Sequence, residues 1–174
     1  MIIDNIRIEI NPVITDEELF SFYQRNHICE EGYGRIEYPY LRNSSLVVGA
    51  FEGDKLVGIT RAMFDGITGV IMEFCLELEY QGTNLEYENG SLIGKDEYGL
   101  GKKIGDTLIN ELFTMGADFI DSLSIVENYE ETFYESIGFE RKNRHLAYYI
   151  DKRPYKDDER FKTVHRTFPD GSDD

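Results

Sequence analysis

The segment from Val70 to Tyr80 constrains the fold most, because its side chains alternate between apolar and polar with a period of two. An extended strand converts this period into two chemically different faces, whereas a helix would scatter it. The apolar positions are Val70, Met72, Phe74, Leu76, Leu78 and Tyr80, and the other face carries Glu73, Cys75, Glu77 and Glu79. The pattern predicts a long strand with one face on a core. The acidic face is either solvated or lines a cleft between neighbouring strands.

Turn and periodicity signals on both sides of this strand predict a mixed domain. Thr15, followed three residues later by Glu18, forms a capping box and predicts a helix start. Glu52-Gly53-Asp54 between two apolar runs predicts a hairpin. The other predicted strands are 6–10, 46–51, 55–64, 119–126 and a final pair with 145–150 as its clearer half, and the predicted helices are 15–28, 102–115 and 129–137. This order predicts the α/β (α+β) class, with a central, mixed, mostly antiparallel sheet flanked by helices.

The length of 174 residues gives room for one domain with a substantial core. We expect that domain to cover residues 1–150. The turn-rich, polar stretch at about 82–98 is interpreted as a segment inserted into it. From Asp151 onward aliphatic side chains nearly vanish, so residues 151–174 are predicted to form a polar C-terminal extension.

The charge balance limits the partners of the chain. Its 34 acidic and 18 basic residues give a net charge of −16. Such a field repels nucleic acids and anionic membranes, and it favours cationic small molecules or basic partners. No run of about 18 apolar residues and no signal-peptide pattern is found, so we expect a cytoplasmic protein that binds neither nucleic acid nor membrane.

Cysteines and histidines give no metal signature. Cys29 and Cys75 lie in apolar-flanked segments and are interpreted as buried thiols in a reducing cytosol rather than as a disulfide or a nucleophile. His27, His145 and His165 are scattered and lack the spacing of a metal-binding helix. We therefore expect no metal.

The segment Gly99-Leu100-Gly101-Lys102-Lys103-Ile104-Gly105 stands between the long strand and a helix. Glycines let an anion approach the backbone, and the N–H groups of a first helical turn point outward without intrahelical partners. A Walker A loop would need glycine in place of Asp96 and Ser or Thr in place of Lys103, and a Rossmann loop would need its third glycine one residue earlier. An anion site and a glycine-softened helix entry with exposed lysines are equal alternatives.

A second motif is Tyr134-Glu135-Ser136-Ile137-Gly138-Phe139. Alone, its tyrosine is more simply a half-buried core residue. Together the two motifs resemble the GNAT superfamily of acyl-CoA N-acyltransferases, in which a Q/R-x-x-G-x-G/A turn opens a helix and a Y-x-x-x-G-F segment follows the next strand. The second motif matches in full. In the first, Leu100 replaces Gln or Arg and Lys103 replaces Gly, and the inserted segment splits the motif from the strand.

The resemblance implies a single-domain N-acetyltransferase with acetyl-CoA as cosubstrate, and dimers are common in the family. Backbone groups near Leu76 and Leu78 would hold the pantetheine. Tyr134 matches the position that often protonates the leaving thiolate, which a phenol does only when it is well placed. The pyrophosphate would lie on the helix start, formed by Leu100, Gly101, Lys102, Lys103, Ile104 and Gly105.

Two carboxylates are predicted to serve the acceptor. Glu73 and Glu77 share a face of the long strand, so either could deprotonate an amine, attract an ammonium group, or be a solvated surface charge. For Glu79, near the strand end, the surface interpretation is preferred. The expected acceptor is a small polar or cationic amine, with a protein lysine, an antibiotic and a polyamine as alternatives. Two other hypotheses are a non-catalytic domain that binds CoA as a sensor or interaction module, and a structural protein with an accidental motif.

Overall fold

A computed structural model describes residues 3–26, 42–83, 93, 95–122 and 128–141 of the chain. Contacts divide the chain into two units, Met1–Glu140 and Arg141–Asp174, and every described strand and helix belongs to the first. The predicted final strand of 145–150, the C-terminal extension and most of the inserted segment lie outside the described residues. Within the described part, no helix is long and apolar enough to cross a membrane.

Five strands form one sheet in which the strand order follows the sequence. The first four strands pair antiparallel, and the fifth pairs parallel to the fourth. The strands are β1 (Ile6–Ile10), β2 (Leu46–Glu52), β3 (Lys55–Phe64), β4 (Thr68–Leu76) and β5 (Phe119–Ser122). The prediction of a central, mixed, mostly antiparallel sheet is confirmed, and so is the hairpin that joins β2 and β3.

Four described helices complete the unit: α1 (Asp16–Arg25), α2 (Leu78–Gln81), α3 (Leu100–Met115) and α4 (Asn128–Ser136). Thr15 is confirmed as the cap of α1, because its hydroxyl accepts a hydrogen bond from the Glu18 amide at 3.1 Å. The Glu18 carboxylate accepts instead from the Leu56 amide of β3 at 2.9 Å. Gly116 ends α3 in the left-handed conformation, with φ of 107°, as its place after the last periodic residue predicted.

The predicted strand of residues 70–80 is wrong at its end, because β4 stops at Leu76. The Glu77 amide still donates to the Val57 carbonyl at 2.9 Å, and the chain then turns into the one-turn helix α2. This turn buries Tyr80 and Gln81, and the Gln81 side-chain amide donates to the Leu76 carbonyl at 2.8 Å. The helical turn thus satisfies the last strand carbonyl internally.

The sheet has a different core on each face. On one side, α3 and α4 cover an apolar layer that includes Phe74 and Leu76 of β4. On the other side, α1 packs Leu19, Phe22 and Tyr23 against a smaller layer that includes Cys75. The acidic face of β4 is therefore turned toward α1. Cys75 is a buried free thiol, as expected, whereas Cys29 lies outside the described residues.

Candidate functional site

The candidate site begins at the edge of β4 that faces β5. The parallel pairing with β5 covers only Thr68–Ile71 of β4, against Phe119–Ser122. β4 continues to Leu76, and among the described residues no strand pairs with Met72–Leu76 on that side. Peptide groups along a strand edge can bind an extended ligand that lies alongside. This edge is the first element of the candidate site.

The glycine-rich turn leads directly into α3. Gly99 occupies the N-cap position with φ of 76°, a conformation that disfavours other residues. Gly101 and Gly105 are buried. A Cβ added to Gly101 would lie 2.9 Å from the Phe133 ring, and one added to Gly105 would lie 3.1 Å from Ile137. Both glycines therefore let α4 approach α3 closely.

The two sequence motifs therefore meet in space. Besides the contacts at the glycines, the Lys102 ammonium donates to the Ser136 carbonyl at 3.2 Å, near the C-terminus of α4. The same ammonium lies 3.1 Å from Asp106. Lys102 thus serves the packing of α3 on α4. Lys103, the other lysine of the predicted phosphate site, is exposed on the first turn of α3.

The N-terminus of α3 already holds an anion. One carboxylate oxygen of Asp96 accepts from the Gly101 amide at 2.8 Å, and the other accepts from the Lys102 amide at 2.7 Å. A carboxylate in this position complements the positive end of the helix dipole. In the sequence, Asp96 stands out only as a departure from a Walker A loop. It lies outside the usual capping position, so its distance from the helix start carries no signal for this role.

Tyr134 lies in the core on the α3 side of the sheet. Its ring makes edge-to-face contacts with Phe133 and Phe139, at centroid distances of 5.4 and 5.6 Å. The Tyr134 carbonyl accepts from the Phe139 amide at 3.0 Å, and Gly138 between them has φ of 97°. The Y-x-x-x-G-F segment is therefore a helix end closed by a left-handed glycine, and it holds the phenol in a fixed aromatic cluster.

Glu73 lies on the α1 side of β4 and is almost enclosed. One carboxylate oxygen accepts from the Tyr23 hydroxyl of α1 and lies 3.4 Å from the Cys75 thiol. The other accepts from Arg61 of β3 at 2.8 Å. The Glu73 side chain is 14% exposed. Glu73 thus has one guanidinium and one hydroxyl as its strongest partners.

Glu77 is held by two cations just after the end of β4. Arg25 of α1 and Lys55 of β3 each lie 2.8 Å from one of its oxygens. Burial opposes the charge of Lys55, but the hydrogen bonds and charges of Glu77 and then Glu79 outweigh it and raise the pKa of Lys55. Glu77 is therefore the centre of an ion-pair network, not the solvated charge that one alternative assumed. Glu79 is exposed, as its surface interpretation requires.

The predicted catalytic residues lie on two faces of the sheet. Tyr134 belongs to the α3 side, whereas Glu73 and Glu77 bind side chains of α1. The β5-facing edge of β4 lies between them and ends at Leu76, whereas Leu78 lies beyond the strand, in α2. Sequence reasoning missed the cations that hold the carboxylates. Arg25 comes in the last turn of a helix and Lys55 in a hairpin, where basic residues carry no specific signal.

Comparison with solved structures identifies the fold. A GNAT-family acetyltransferase from Streptococcus pneumoniae is 19% identical, with a TM-score of 0.59, over 85% of this chain and 99% of that one. A probable acetyltransferase from Staphylococcus aureus is 15% identical, with a TM-score of 0.62, over 84% and 98%. An aminoglycoside acetyltransferase from an uncultured soil sample, solved with sisomicin, is 15% identical, with a TM-score of 0.60, over 87% and 100%.

At these identities the similarity establishes the fold, and the fold is the one that the two motifs predicted. No family model matches the sequence, and no curated protein matches it.

Proposed function

We propose that this chain, which has the fold of the GNAT acetyltransferases, moves an acetyl group from acetyl-CoA to the primary amine of a small polar or cationic acceptor. The neutral amine attacks the thioester carbonyl, a C–N bond forms, and the C–S bond breaks from a tetrahedral intermediate. The amine loses a proton and the thiolate gains one. The observation that carries the proposal is the contact between the glycine turn and the Tyr134 segment, which meet beside Phe74 of β4.

The donor is proposed to lie along the β5-facing edge of β4. Peptide groups from Met72 toward Leu76 and Leu78 would bind the pantetheine and polarise the thioester. The start of α3, from Leu100 to Gly105, would receive the pyrophosphate, with Lys103 as the exposed positive charge. Both assignments follow the family resemblance.

Tyr134 is proposed as the acid that protonates the departing thiolate. Its ring is fixed between Phe133 and Phe139, so the hydroxyl needs little reorganisation during the reaction. We expect Tyr134→Phe to lower turnover by about 100-fold, since general acids contribute at least about that much, and to leave acetyl-CoA affinity nearly unchanged. Steady-state rates and calorimetric binding would measure the two effects. Unchanged turnover would exclude this role.

Of the two carboxylates, Glu73 is proposed as the base and Glu77 as a group that attracts the acceptor. Glu73 has one cationic partner, the Arg61 guanidinium, whereas both oxygens of Glu77 are already occupied by cations. Glu73 also accepts from the Tyr23 hydroxyl, which links it by hydrogen bonds toward α1. A cationic acceptor agrees with the net charge of −16.

The decisive experiment measures release of the free CoA thiol from acetyl-CoA with a panel of amines: aminoglycosides, polyamines, amino sugars and a lysine peptide. Release that depends on one class of amine would support the proposal and identify that class. The absence of amine-dependent release across the panel, while acetyl-CoA still raises the melting temperature, would favour the second candidate.

That second candidate is a non-catalytic module that binds CoA as a sensor. The cations on both predicted carboxylates favour it, because they occupy groups that catalysis would use and that CoA binding does not need. If saturating acetyl-CoA leaves the melting temperature of the chain unchanged, that result would contradict both candidates.

A further inference from the structure

We propose that Asp96 is an internal competitor for the phosphates of CoA, so that the donor binds only when this carboxylate leaves the start of α3. The inference rests on the proposed function, since it concerns the same pyrophosphate site. It goes beyond that function because it assigns to the chain a built-in restraint on donor binding.

Asp96 occupies most of the available donors at the helix start. An α-helix leaves four N–H groups at its beginning without intrahelical partners, and in α3 these belong to residues 99–102. The carboxylate of Asp96 accepts from Gly101 and Lys102, and its backbone carbonyl accepts from Gly99 at 3.2 Å. A single residue thus uses three of the four groups that a pyrophosphate would need.

The loop that carries Asp96 is fixed at several points. Ile93, three residues earlier, is buried in the core on the α3 side. The next residue, Glu97, donates its amide to the Gln81 carbonyl at 2.7 Å. Gly101 leaves room for the carboxylate, because an added Cβ would lie 3.1 Å from its central carbon. The carboxylate is therefore positioned by the fold and not by a chance surface contact.

A carboxylate and a phosphate use the start of a helix in the same way, through N–H donors and the positive end of the dipole. They cannot share the same two amides. The measured affinity for CoA is then the intrinsic affinity reduced by the fraction of molecules in which Asp96 has moved away. Lys102 offers little compensation, since it already binds Asp106 and the Ser136 carbonyl.

The test is the affinity for CoA of the full chain and of two variants, Asp96→Asn and Asp96→Ala, measured by calorimetry. If the carboxylate occupies the site about nine-tenths of the time, its removal tightens binding about tenfold. Asparagine keeps the shape but loses the charge, so its effect should lie between wild type and alanine. Asp54→Asn is the control, because it removes the same charge from the exposed β2–β3 turn.

Amide resonances supply a second readout. Adding CoA to the wild-type chain should shift the Gly101 and Lys102 amide signals, and Asp96→Asn alone should shift the same two. Circular dichroism would verify that each variant is folded. Affinity that is unchanged or weaker in both variants, or that rises equally in Asp54→Asn, would overturn the inference while leaving the proposed function intact.

The remaining outcomes also separate the two proposals. If only the Asp96 variants bind CoA, the inference holds and wild type is shown to be restrained. If no form of the chain binds CoA, the inference and the proposed function both fail.

Discussion

The two faces of the sheet are built by different means. On the α3 side, glycines at 101 and 105 bring α4 so close that Phe133 and Ile137 touch the backbone of α3. On the α1 side, charged groups add to a smaller apolar layer, with Glu73 and Glu77 bound to side chains of α1 and β3. An apolar contact has no charge for protons to change or salt to screen, whereas an ion pair is weakened by both. The α3 face, with the larger apolar core, therefore supplies more of the stability, and the α1 face supplies charge at the proposed acceptor side.

The sharpest test of this difference removes an aromatic ring from the α3 side. Phe133→Ala deletes the contacts with Phe74, at a centroid distance of 4.9 Å, and with Tyr134. We expect a loss of about 3–5 kcal/mol in the free energy of unfolding, because the ring is buried and leaves a cavity. Urea denaturation would measure it.

The control for Phe133→Ala is Phe113→Ala. Phe113 lies on α3 but is 53% exposed, so we expect a change within about 0.5 kcal/mol. Equal effects of the two substitutions would show that the α3 face does not carry the stability assigned to it.

A smaller loss is expected on the α1 side. Glu77→Gln keeps the shape of the side chain but leaves Arg25 and Lys55 facing a neutral amide. Removing one member of a buried pair costs up to about 3–5 kcal/mol, but both cations are about a third exposed, so screening reduces the expected loss to about 1–2 kcal/mol. Glu79→Gln, at a 65% exposed position, is the matched control and should change stability little. A loss that persists undiminished in high salt would contradict an electrostatic origin.

The smallest effect is a dependence on alkaline pH. Burial lowers the pKa of Lys55, but Glu77 and Glu79 more than offset it, so the folded-state pKa lies above the ordinary 10.5. The stability from this lysine is present in full below that ordinary value and is lost as pH rises through the folded-state pKa. The advantage of wild type over Glu77→Gln should therefore shrink in strongly alkaline solution. Denaturation curves of both proteins across that range would check it, and a constant difference would contradict it.

Much of the fold follows from short-range signals. The Thr15 cap, the hairpin at Gly53 and the helix end at Gly116 depend on neighbouring residues alone, and each lies where the sequence predicted it. The end of β4, in contrast, does not depend on neighbouring residues alone. Strict alternation continues to Tyr80, yet the strand stops at Leu76, because Gln81 and the core of the α3 side favour a helical turn. Such long-range contacts override a local period.

The candidate site was predictable only in part. The glycine turn and the segment from Tyr134 to Phe139 are visible as motifs, and the structure brings them into contact through Gly101 and Phe133. The roles assigned to Tyr134, Glu73 and Glu77 remain predictions. The partners of the two carboxylates come from segments 12 to 52 positions away in the chain. The position of Asp96 depends on the geometry of its loop. A local sequence pattern predicts neither.

The absence of a side chain at Gly101 limits which substitutions the neighbouring positions accept. Gly101 has a hydrogen atom where other residues have a side chain. The Phe133 ring and the Asp96 carboxylate both border the space that this leaves. A larger residue there would displace helix and loop together, so effects of substitution at 96, 101 and 133 are not expected to add. In evolutionary terms we expect the three positions to covary, because a change at one alters which residues the other two accept.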